Sequence, residues 1–376
     1  MDRANIIIIG GGVVGCAIAR AVSARWSDVF LLEALPKLAM GASSRNSGVI
    51  HSGLYYPRGS LKAKHCVVGN QLTYEFCAAH NVPHRNTGKL VVASSLAEQN
   101  QLSALLETGR ANGLQGLRLI DRTAIRAREP HVEGVQAIEV PSTGIVASEE
   151  LVKAYARVAA DRGAHIMTQA RVEKLEVQAD GIRVVSSAGE IQARCVVNSA
   201  GLFADEIAAM LGSKMARHRI YPVRGEYCEL VRGKQDWVRG LVYPLPHSDG
   251  LSLGTHLTKM LWGSVLVGPT ARYINDKNDY ERDREAVEYF AGLAKLLLPG
   301  IEASDFTLAY SGIRAKLTPP PGSLPVSHSS ATADFIIERD PEFPSVVQLM
   351  GIESPGLTSA PAIAEHVNQL VTEILA

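Results

Sequence analysis

The sequence predicts an α/β protein of two domains, and three observations support this fold class. The chain has 376 residues, whereas a single domain usually holds roughly 100–200 residues. Residues 5–9 read Asn-Ile-Ile-Ile-Ile, a β-branched run typical of a strand that is buried on both faces of a parallel sheet. A glycine-rich turn and an apolar helical segment follow directly, so we expect the chain to begin with the strand–turn–helix unit of a Rossmann-like domain.

The glycine-rich turn has the spacing G-x-G-x-x-G. In this unit the glycines permit the tight turn, the approach of a pyrophosphate and close helix packing, while the helix N-terminus favours an anion. A second predicted strand, residues 29–32, ends at Glu33, where an acidic side chain binds ribose hydroxyls and disfavours a 2′-phosphate. The pattern predicts a dinucleotide site that includes Gly10, Gly12, Val13, Val14, Gly15, Glu33 and Ala34.

The composition indicates a small-molecule partner. The chain carries 38 basic and 38 acidic residues, so it lacks the net charge that binds nucleic acid or an anionic membrane. Its five cysteines include no Cys-x-x-Cys pair, which argues against a metal site or a disulfide framework. We therefore expect reduced thiols and a cytoplasmic protein.

The N-terminus also resembles a secretory signal peptide. Arg3 precedes an uncharged stretch, residues 6–19, and the small residues 21–24 could form a cleavage site. The dinucleotide fingerprint occupies the same residues, however, and cleavage would remove it. The stretch is also shorter than the roughly 20 residues that span a bilayer. We expect the segment to be retained and to form no transmembrane helix.

Three later segments indicate which cofactor binds. Residues 41–53 form a loop of small residues that contains Arg45 and His51. This loop resembles that of the D-amino-acid-oxidase-like FAD oxidoreductases, where it crosses the pyrophosphate and reaches the flavin. Residues 193–202 resemble the strand that returns beside the cofactor in this family, and residues 351–361 resemble the turn that opens the final helix toward the flavin. Helix-terminal amides at that turn would stabilise negative charge on the reduced ring.

The resemblance implies bound FAD, which we expect to be held non-covalently. The further residues expected at the cofactor are Ser43, Ser44, Arg45, Asn46, Ser47, Gly48, Val49, His51, Val172, Ser199, Ala200, Gly201, Arg314, Gly351, Ser354, Pro355, Gly356, Leu357 and Thr358.

Within this superfamily the chain resembles the L-2-hydroxyglutarate oxidases (dehydrogenases) over nearly its whole length. The resemblance is carried by residues 46–56, 59–64, 224–227, 255–259 and 268–271. It implies oxidation of an L-2-hydroxy acid, with L-2-hydroxyglutarate giving 2-oxoglutarate, by hydride transfer from C2 to FAD N5. The electron acceptor stays open among oxygen, a quinone and a protein.

The resemblance also implies a discontinuous FAD-binding domain and a substrate domain built on a mixed or antiparallel sheet. We expect the FAD-binding domain to comprise residues 1–88, 145–215 and 325–376. The substrate domain then comprises residues 89–144 and 216–324.

Oxidation of a 2-hydroxy acid requires a base for the hydroxyl proton and a cation for the carboxylate. His51 and His256 are candidates for the base, because neutral imidazole accepts a proton near pH 7. Either histidine could instead have a structural role, His51 by positioning the flavin loop and His256 by packing in a sheet. Arg314 is the candidate for the carboxylate, since a guanidinium binds one through two parallel hydrogen bonds.

Three further residues could contact the substrate. Arg224 and Lys259 could bind a second carboxylate or form ordinary salt bridges, and Tyr56 could line the pocket or pack.

Two other functions fit the same fold. The chain could be an amine or amino-acid oxidase, resembling glycine or sarcosine oxidases, or a non-catalytic FAD-binding subunit for electron transfer. Amine oxidation needs no hydroxyl base, so the histidines favour a hydroxy acid. A complete substrate domain with Arg314 argues against a non-catalytic subunit.

Overall fold

The computed structural model describes residues 2–231, 233–246, 254–322 and 333–376. Its strands, in chain order, are β1 (Asp2–Ile9), β2 (Val29–Leu32), β3 (Val49–Ile50), β4 (His84–Asn86), β5 (Lys89–Ala93), β6 (Arg118–Asp121), β7 (Gln136–Val140), β8 (Gly144–Val146), β9 (His165–Met167), β10 (Val172–Gln178), β11 (Gly181–Ser186), β12 (Gly189–Asn198), β13 (Tyr221–Leu230), β14 (Leu241–Pro244), β15 (His256–Lys259), β16 (Val265–Gly268), β17 (Arg272–Tyr273), β18 (Phe306–Lys316), β19 (Ile336–Arg339) and β20 (Val346–Met350).

The α-helices of the described residues are α1 (Val13–Val22), α2 (Leu61–His80), α3 (Gln99–Ala111), α4 (Arg122–Arg128), α5 (Ser148–Asp161), α6 (Ala204–Met210), α7 (Val287–Ala294) and α8 (Gly356–Leu375). None of these helices is long and apolar enough to cross a membrane.

The first sheet has β1 at its centre. The strand order is β10-β11-β12-β1-β2-β9, and β20 and β19 add to β12. β1 pairs in parallel with β2 and with β12. Its isoleucines alternate between two buried clusters: Ile6 and Ile8 pack with α1, α5 and α8, whereas Ile7 and Ile9 pack with β10, β11 and α6. The segment that resembles a signal peptide therefore forms the core of this sheet.

The second sheet has the order β17-β13-β16-β15-β14-β5-β7-β6, and β18 pairs with β13. Its described pairings are antiparallel except for the parallel pair of β14 and β5. One face packs on α7 through a buried apolar cluster. The other face contacts β3, because Val49 packs on Leu241 and Tyr243 of β14. A small third sheet has the order β3-β8-β4.

The predicted fold class is confirmed: a Rossmann-like unit is combined with a mixed sheet. Strands of the first sheet lie between residues 2 and 32, 165 and 198, and 336 and 350. Strands of the second sheet lie between residues 89 and 140 and between 221 and 316. The domain boundaries stay a prediction, and the boundary between residues 324 and 325 falls outside the described residues.

Candidate active site

The turn after β1 forms a narrow cradle at the N-terminus of α1. Gly10 has a φ of 108°, which favours glycine. A Cβ atom at Gly15 would lie 1.9 Å from the carbonyl oxygen of Gly10, so only glycine lets α1 approach the turn. The amide of Val13 donates to Ser43 Oγ at 2.9 Å. Val14 follows Val13 in the first turn of α1. A Cβ atom added at Gly12 would lie 3.1 Å from the Ser43 hydroxyl, the nearest neighbouring atom among the described residues. This space and the helix amides fit a pyrophosphate.

The carboxyl ends of the neighbouring strands complete the cradle. Glu33 follows β2 and accepts hydrogen bonds from the amides of Gly11 at 2.7 Å and Leu35 at 2.8 Å, which enclose Ala34. On the other side, the Ser199 hydroxyl donates to the Ile9 carbonyl at 2.9 Å. Ala200 and Gly201 follow Ser199 at this edge of the sheet. The amide of Ala170 donates to the Glu33 carbonyl at 2.8 Å, which brings the segment before Val172 to the same edge.

The loop of residues 41–53 is held in place by Asn46. Its side-chain amide donates to the carbonyls of Ala42 at 2.9 Å and Ser43 at 2.8 Å, and its side-chain oxygen accepts from Gly48 N at 2.8 Å. The loop is also tied to β18, because the Tyr310 hydroxyl donates to the Asn46 carbonyl at 2.7 Å. The predicted residues Ser43, Ser44, Arg45, Ser47 and Val49 thus lie along one ordered path from the α1 cradle to β3.

His51 joins this loop to the start of α8. Its amide donates to Thr358 Oγ1 at 2.9 Å, and its Nε2 lies 3.4 Å from Ser354 Oγ. Its Nδ1 is buried and has no hydrogen-bond partner among the described residues. Burial, helped by the charge of Lys89, lowers the pKa of His51 to about 3. The imidazole is therefore neutral near pH 7, and it is a weak base before a substrate binds.

The turn before α8 contains the remaining predicted cofactor residues. Gly351 follows β20 with a φ of 69°, and the Ser354–Pro355 peptide bond is cis. Gly356 and Leu357 then open α8, whose N-terminus points its amides toward the side of the molecule where His51 lies.

β18 presents Arg314 toward the cofactor loop. Side chains alternate along a strand, and Gly312, two residues earlier on the same face, is so close to the loop that a Cβ atom would lie 2.0 Å from the Arg45 carbonyl oxygen. Arg314 Nη1 donates to the Thr270 carbonyl at 3.1 Å. Among the described residues no carboxylate lies within ion-pair distance of Arg314, so the guanidinium is available to an anion.

The same alternation places Arg224 on the other face of the sheet. It pairs across β13 and β18 with Ile313, on the opposite face from Arg314. Its Nε donates to Glu226 at 2.9 Å, its Nη1 to Asp279 at 3.2 Å, and its Nη2 to the Arg282 carbonyl. Only 1% of its side chain is exposed. Arg224 thus has two carboxylate partners within the chain, and its contact with a substrate stays a prediction.

Lys259 lies on the α7 side of the second sheet. In β15, Leu257 packs into the cluster on the α7 side of the sheet, and Lys259 shares that face because the residues are two apart. Its Nζ donates to the Gln235 carbonyl at 2.7 Å and lies 3.7 Å from Asp236. The structure thus does not bring Lys259 together with Arg314 and His51, and its contact with a substrate stays a prediction.

His256 and Tyr56 lie on the inner side of the molecule. His256 stacks on Tyr243, with ring centroids 3.4 Å apart and planes 8° apart. Tyr56 is buried, and burial with the nearby Cys66 raises its pKa well above 10, while Ser354 partly offsets this shift. Both residues thus border the region around His51, and their predicted contacts with a substrate stay predictions.

Sequence reasoning missed Lys89 as a site residue. Lys89 begins β5 and is fully buried. Its ammonium lies 3.1 Å from the Tyr55 hydroxyl and over the rings of Tyr55 and Tyr243, at 4.4 and 4.6 Å from their centroids. Burial lowers the pKa of Lys89 to about 7. The available signal was a charged residue at the start of the apolar run Leu90–Val91–Val92–Ala93.

A buried ion cluster supports the turn before α8. Glu353 accepts from Lys62 at 2.9 Å and lies 3.5 Å from Lys316. Burial raises the pKa of Glu353, but Lys62 and Lys316 outweigh it, so the net pKa is lowered. The ionised carboxylate joins α2, β18 and the Ser354 turn.

Comparisons with known proteins agree with this geometry. The sequence model of the DAO family, described as FAD dependent oxidoreductase, matches residues 5–370. L-2-hydroxyglutarate dehydrogenase from Indibacter alkaliphilus is 33% identical, covering 96% of this chain and 97% of that protein. The mitochondrial L-2-hydroxyglutarate dehydrogenase of Arabidopsis thaliana is 34% identical, covering 97% and 83%.

The fold also matches a solved structure. L-alpha-glycerophosphate oxidase from Mycoplasma pneumoniae, solved with FAD bound, superposes with a TM-score of 0.88 at 27% identity, covering 99% of this chain and 95% of that one.

Proposed function

The chain belongs to the family of FAD-dependent oxidoreductases, and on that basis we propose that it oxidises L-2-hydroxyglutarate to 2-oxoglutarate. One observation carries the choice of reaction. The loop of residues 41–53 contains a neutral histidine, His51, and it lies beside Arg314, an arginine without a carboxylate partner among the described residues. The names of the relatives at 33% and 34% identity support the choice of substrate.

The residues of the cradle fit FAD. The α1 amides and the space at Gly12 would hold the pyrophosphate, and Glu33 would hold the ribose. The loop of residues 41–53 and the N-terminus of α8 would hold the flavin end. When bound, FAD supplies the two-electron oxidant for the C2–H bond of the substrate.

The substrate is oriented by Arg314 and deprotonated by His51 in this proposal. The Arg314 guanidinium binds the carboxylate next to the hydroxyl through two parallel hydrogen bonds. The hydroxyl proton passes to the unpartnered Nδ1 or to Nε2 of His51, whichever nitrogen lacks a proton. The negative substrate raises the proton affinity of the imidazole when it binds. His256 is the second candidate for the base, since it stacks on Tyr243 and so also borders the region around His51.

The test is to mix the purified holoenzyme anaerobically with single candidate substrates and follow the visible absorbance of the flavin. The panel contains L- and D-2-hydroxyglutarate, L-lactate, glycine, sarcosine and L-α-glycerophosphate. We expect L-2-hydroxyglutarate to bleach the flavin fastest. Bleaching by glycine or sarcosine instead would assign the protein to amine oxidation. Bleaching by L-α-glycerophosphate would show that the substrate is a hydroxy phosphate and not a dicarboxylate.

His51→Gln and His256→Gln distinguish the two candidate bases. General-base catalysis contributes roughly 10²- to 10⁴-fold to a rate, so we expect His51→Gln to slow flavin reduction by that range while His256→Gln retains most of it. The reverse order would make His256 the base.

We also propose that FAD is held non-covalently. Burial raises the pKa of all five thiols, those of Cys16, Cys66, Cys77, Cys195 and Cys228, and a protonated thiol is a poor nucleophile for attachment to a flavin. Acid precipitation should release the yellow colour into the supernatant. Colour that stays in the pellet would show a covalent bond.

The proposed compartment is the cytoplasm, and this proposal rests on the five free cysteines, which suit a reducing compartment. The relative from Arabidopsis is named mitochondrial. Cell fractionation of the native host, with this protein followed by antibody, tests the proposal, and recovery from an organelle or membrane fraction would contradict it.

A further inference from the structure

Three cations at the inner face of the molecule, Arg45, Arg314 and Lys89, lack a carboxylate partner among the described residues. The Arg45 guanidinium donates to the Ser311 carbonyl and lies over the Tyr280 ring. Neighbouring cations are paired, Lys62 and Lys316 with Glu353, and Arg224 with Glu226 and Asp279. Within the described part of the chain, Arg314 donates to the Thr270 carbonyl alone and Lys89 to the Tyr55 hydroxyl alone. A buried cation without a counter-charge is costly, so an anion from outside the chain would stabilise both.

A row of tyrosines connects Arg314 with Lys89. Burial raises the pKa of Tyr227, and the adjacent charge of Arg314 partly offsets the shift. Burial and the neighbouring Tyr227 raise the pKa of Tyr243, and Tyr243 in turn contacts Lys89. Lys89 also acts electrostatically on His51. Contacts between the strands give the same connection. Tyr243 stacks on His256, His256 pairs with Gly268 in the next strand, and Thr270, two residues further on, accepts from Arg314. Lys89, the proposed base and Arg314 therefore border one region.

The surroundings of Lys89 hold its ammonium in a defined position. The faces of two tyrosine rings, Tyr55 and Tyr243, attract the cation. An ammonium has three N–H donors, and the Tyr55 hydroxyl is the one hydrogen-bond acceptor for it among the described residues. The other two donors have no acceptor among the described residues.

We propose that Lys89 binds the second carboxylate of the substrate and thereby selects dicarboxylic 2-hydroxy acids over monocarboxylic ones. The proposal rests on the proposed function, in which Arg314 binds the carboxylate next to the hydroxyl. Lys89 is then the residue that distinguishes a 2-hydroxydicarboxylate from a 2-hydroxy acid with an apolar tail.

The test uses unreactive ligands, so that it does not depend on turnover. Glutarate and valerate both have five carbons, but only glutarate has a second carboxylate. Each is titrated into the FAD-loaded protein, and binding is followed by the change in the flavin spectrum. A charged hydrogen bond contributes about 1.5–3 kcal/mol, so wild type should bind glutarate about 10- to 100-fold more tightly than valerate.

Lys89→Met keeps the length of the side chain and removes the charge. We expect it to weaken glutarate binding about 10- to 100-fold and to leave valerate binding within about twofold, because valerate makes no use of the ammonium. Lys89→Gln should behave in the same way and serves as the second variant. Lys153→Met, on the exposed face of α5, is the matched control and should change neither affinity.

The outcomes separate this proposal from the proposed function. Equal affinities of wild type for glutarate and valerate would overturn the role of Lys89 even if neither variant folded. An equal loss of both ligands in Lys89→Met would also overturn it. Failure of wild type to be reduced by L-2-hydroxyglutarate, with discrimination by Lys89 intact, would overturn the substrate and leave a dicarboxylate site.

Discussion

At the scale of single residues, alternation along two paired strands decides which arginine meets the substrate. Arg314 and Gly312 share the face of β18 that touches the cofactor loop, whereas Arg224 shares the opposite face with Glu226. The first arginine lacks a carboxylate among the described residues, and the second has two. Their roles therefore differ although their strands are hydrogen-bonded neighbours.

Arg314→Met should lower kcat/KM for L-2-hydroxyglutarate by about 30-fold or more, because loss of one partner of a buried charged pair costs about 2–5 kcal/mol. Arg122→Met is the control, since Arg122 is more than half exposed in its pair with Glu133 and such pairs contribute little. Steady-state kinetics of both variants measure the difference. Equal kcat/KM values for Arg314→Met and wild type would remove Arg314 from the site.

The pH profile should show Lys89 directly. The pKa of Lys89 is lowered to about 7 by burial, so its ammonium is present below that pH and is lost above it. The groups that face Lys89 stay uncharged near pH 7. Burial raises the pKa values of Tyr55, Tyr243 and Cys66 and lowers the pKa of His51 to about 3. Because kcat/KM reports groups of the free enzyme, it should fall as the pH rises through about 7.

Lys89→Met should lose this alkaline decline while keeping a lower, flatter profile. The measurement is kcat/KM for L-2-hydroxyglutarate across neutral pH in both proteins. A decline with the same midpoint in Lys89→Met would assign the titration to another group.

At the scale of elements, the β1–turn–α1 unit tolerates no side chain at Gly15. A Cβ atom there would lie 1.9 Å from the Gly10 carbonyl oxygen and 2.9 Å from Ser199 Oγ. Gly15→Ala must therefore push α1 away from the turn, and the purified variant should contain much less FAD than wild type. Gly292→Ala in α7 is the control, because no atom of the described residues beyond the local helix lies within 4 Å of its added methyl group.

The ratio of flavin to protein absorbance measures this effect. Full FAD content in Gly15→Ala would show that the cradle does not depend on the close packing of α1, and would contradict the assignment of the turn.

Elements with a local signature could be predicted from the sequence, and residues placed by distant partners could not. β1, the turn and α1 were predicted correctly because glycine spacing and β-branched residues act within a few positions. The face of Lys259 depends on the packing of β15 against the Gln235 turn. Lys89 gained its environment from Tyr55 and Tyr243, which lie in other parts of the chain, so its burial was missed.

At the scale of the whole molecule, the proposed FAD site joins chain segments that are far apart in sequence. The cradle takes residues from the ends of β1, β2 and β12, and the flavin end takes them from the loop of residues 41–53, α8 and β18. A ligand that bridges these segments stabilises only the folded state.

The midpoint of thermal unfolding should therefore rise with the concentration of added FAD after the cofactor has been removed. A one-site ligand at 100 times its Kd stabilises by about 2.7 kcal/mol, which corresponds to a rise of several degrees. Calorimetry of the refilled protein measures it, with riboflavin as the control because riboflavin lacks the pyrophosphate. A midpoint that riboflavin raises as much as FAD would contradict the role of the α1 cradle.

The most direct measurement is a single anaerobic turnover with L-2-hydroxyglutarate in excess over the holoenzyme. The account predicts that one equivalent of 2-oxoglutarate forms for each FAD that is reduced, and that D-2-hydroxyglutarate gives none. Flavin that stays oxidised, or that is reduced without 2-oxoglutarate being formed, would contradict the proposed reaction.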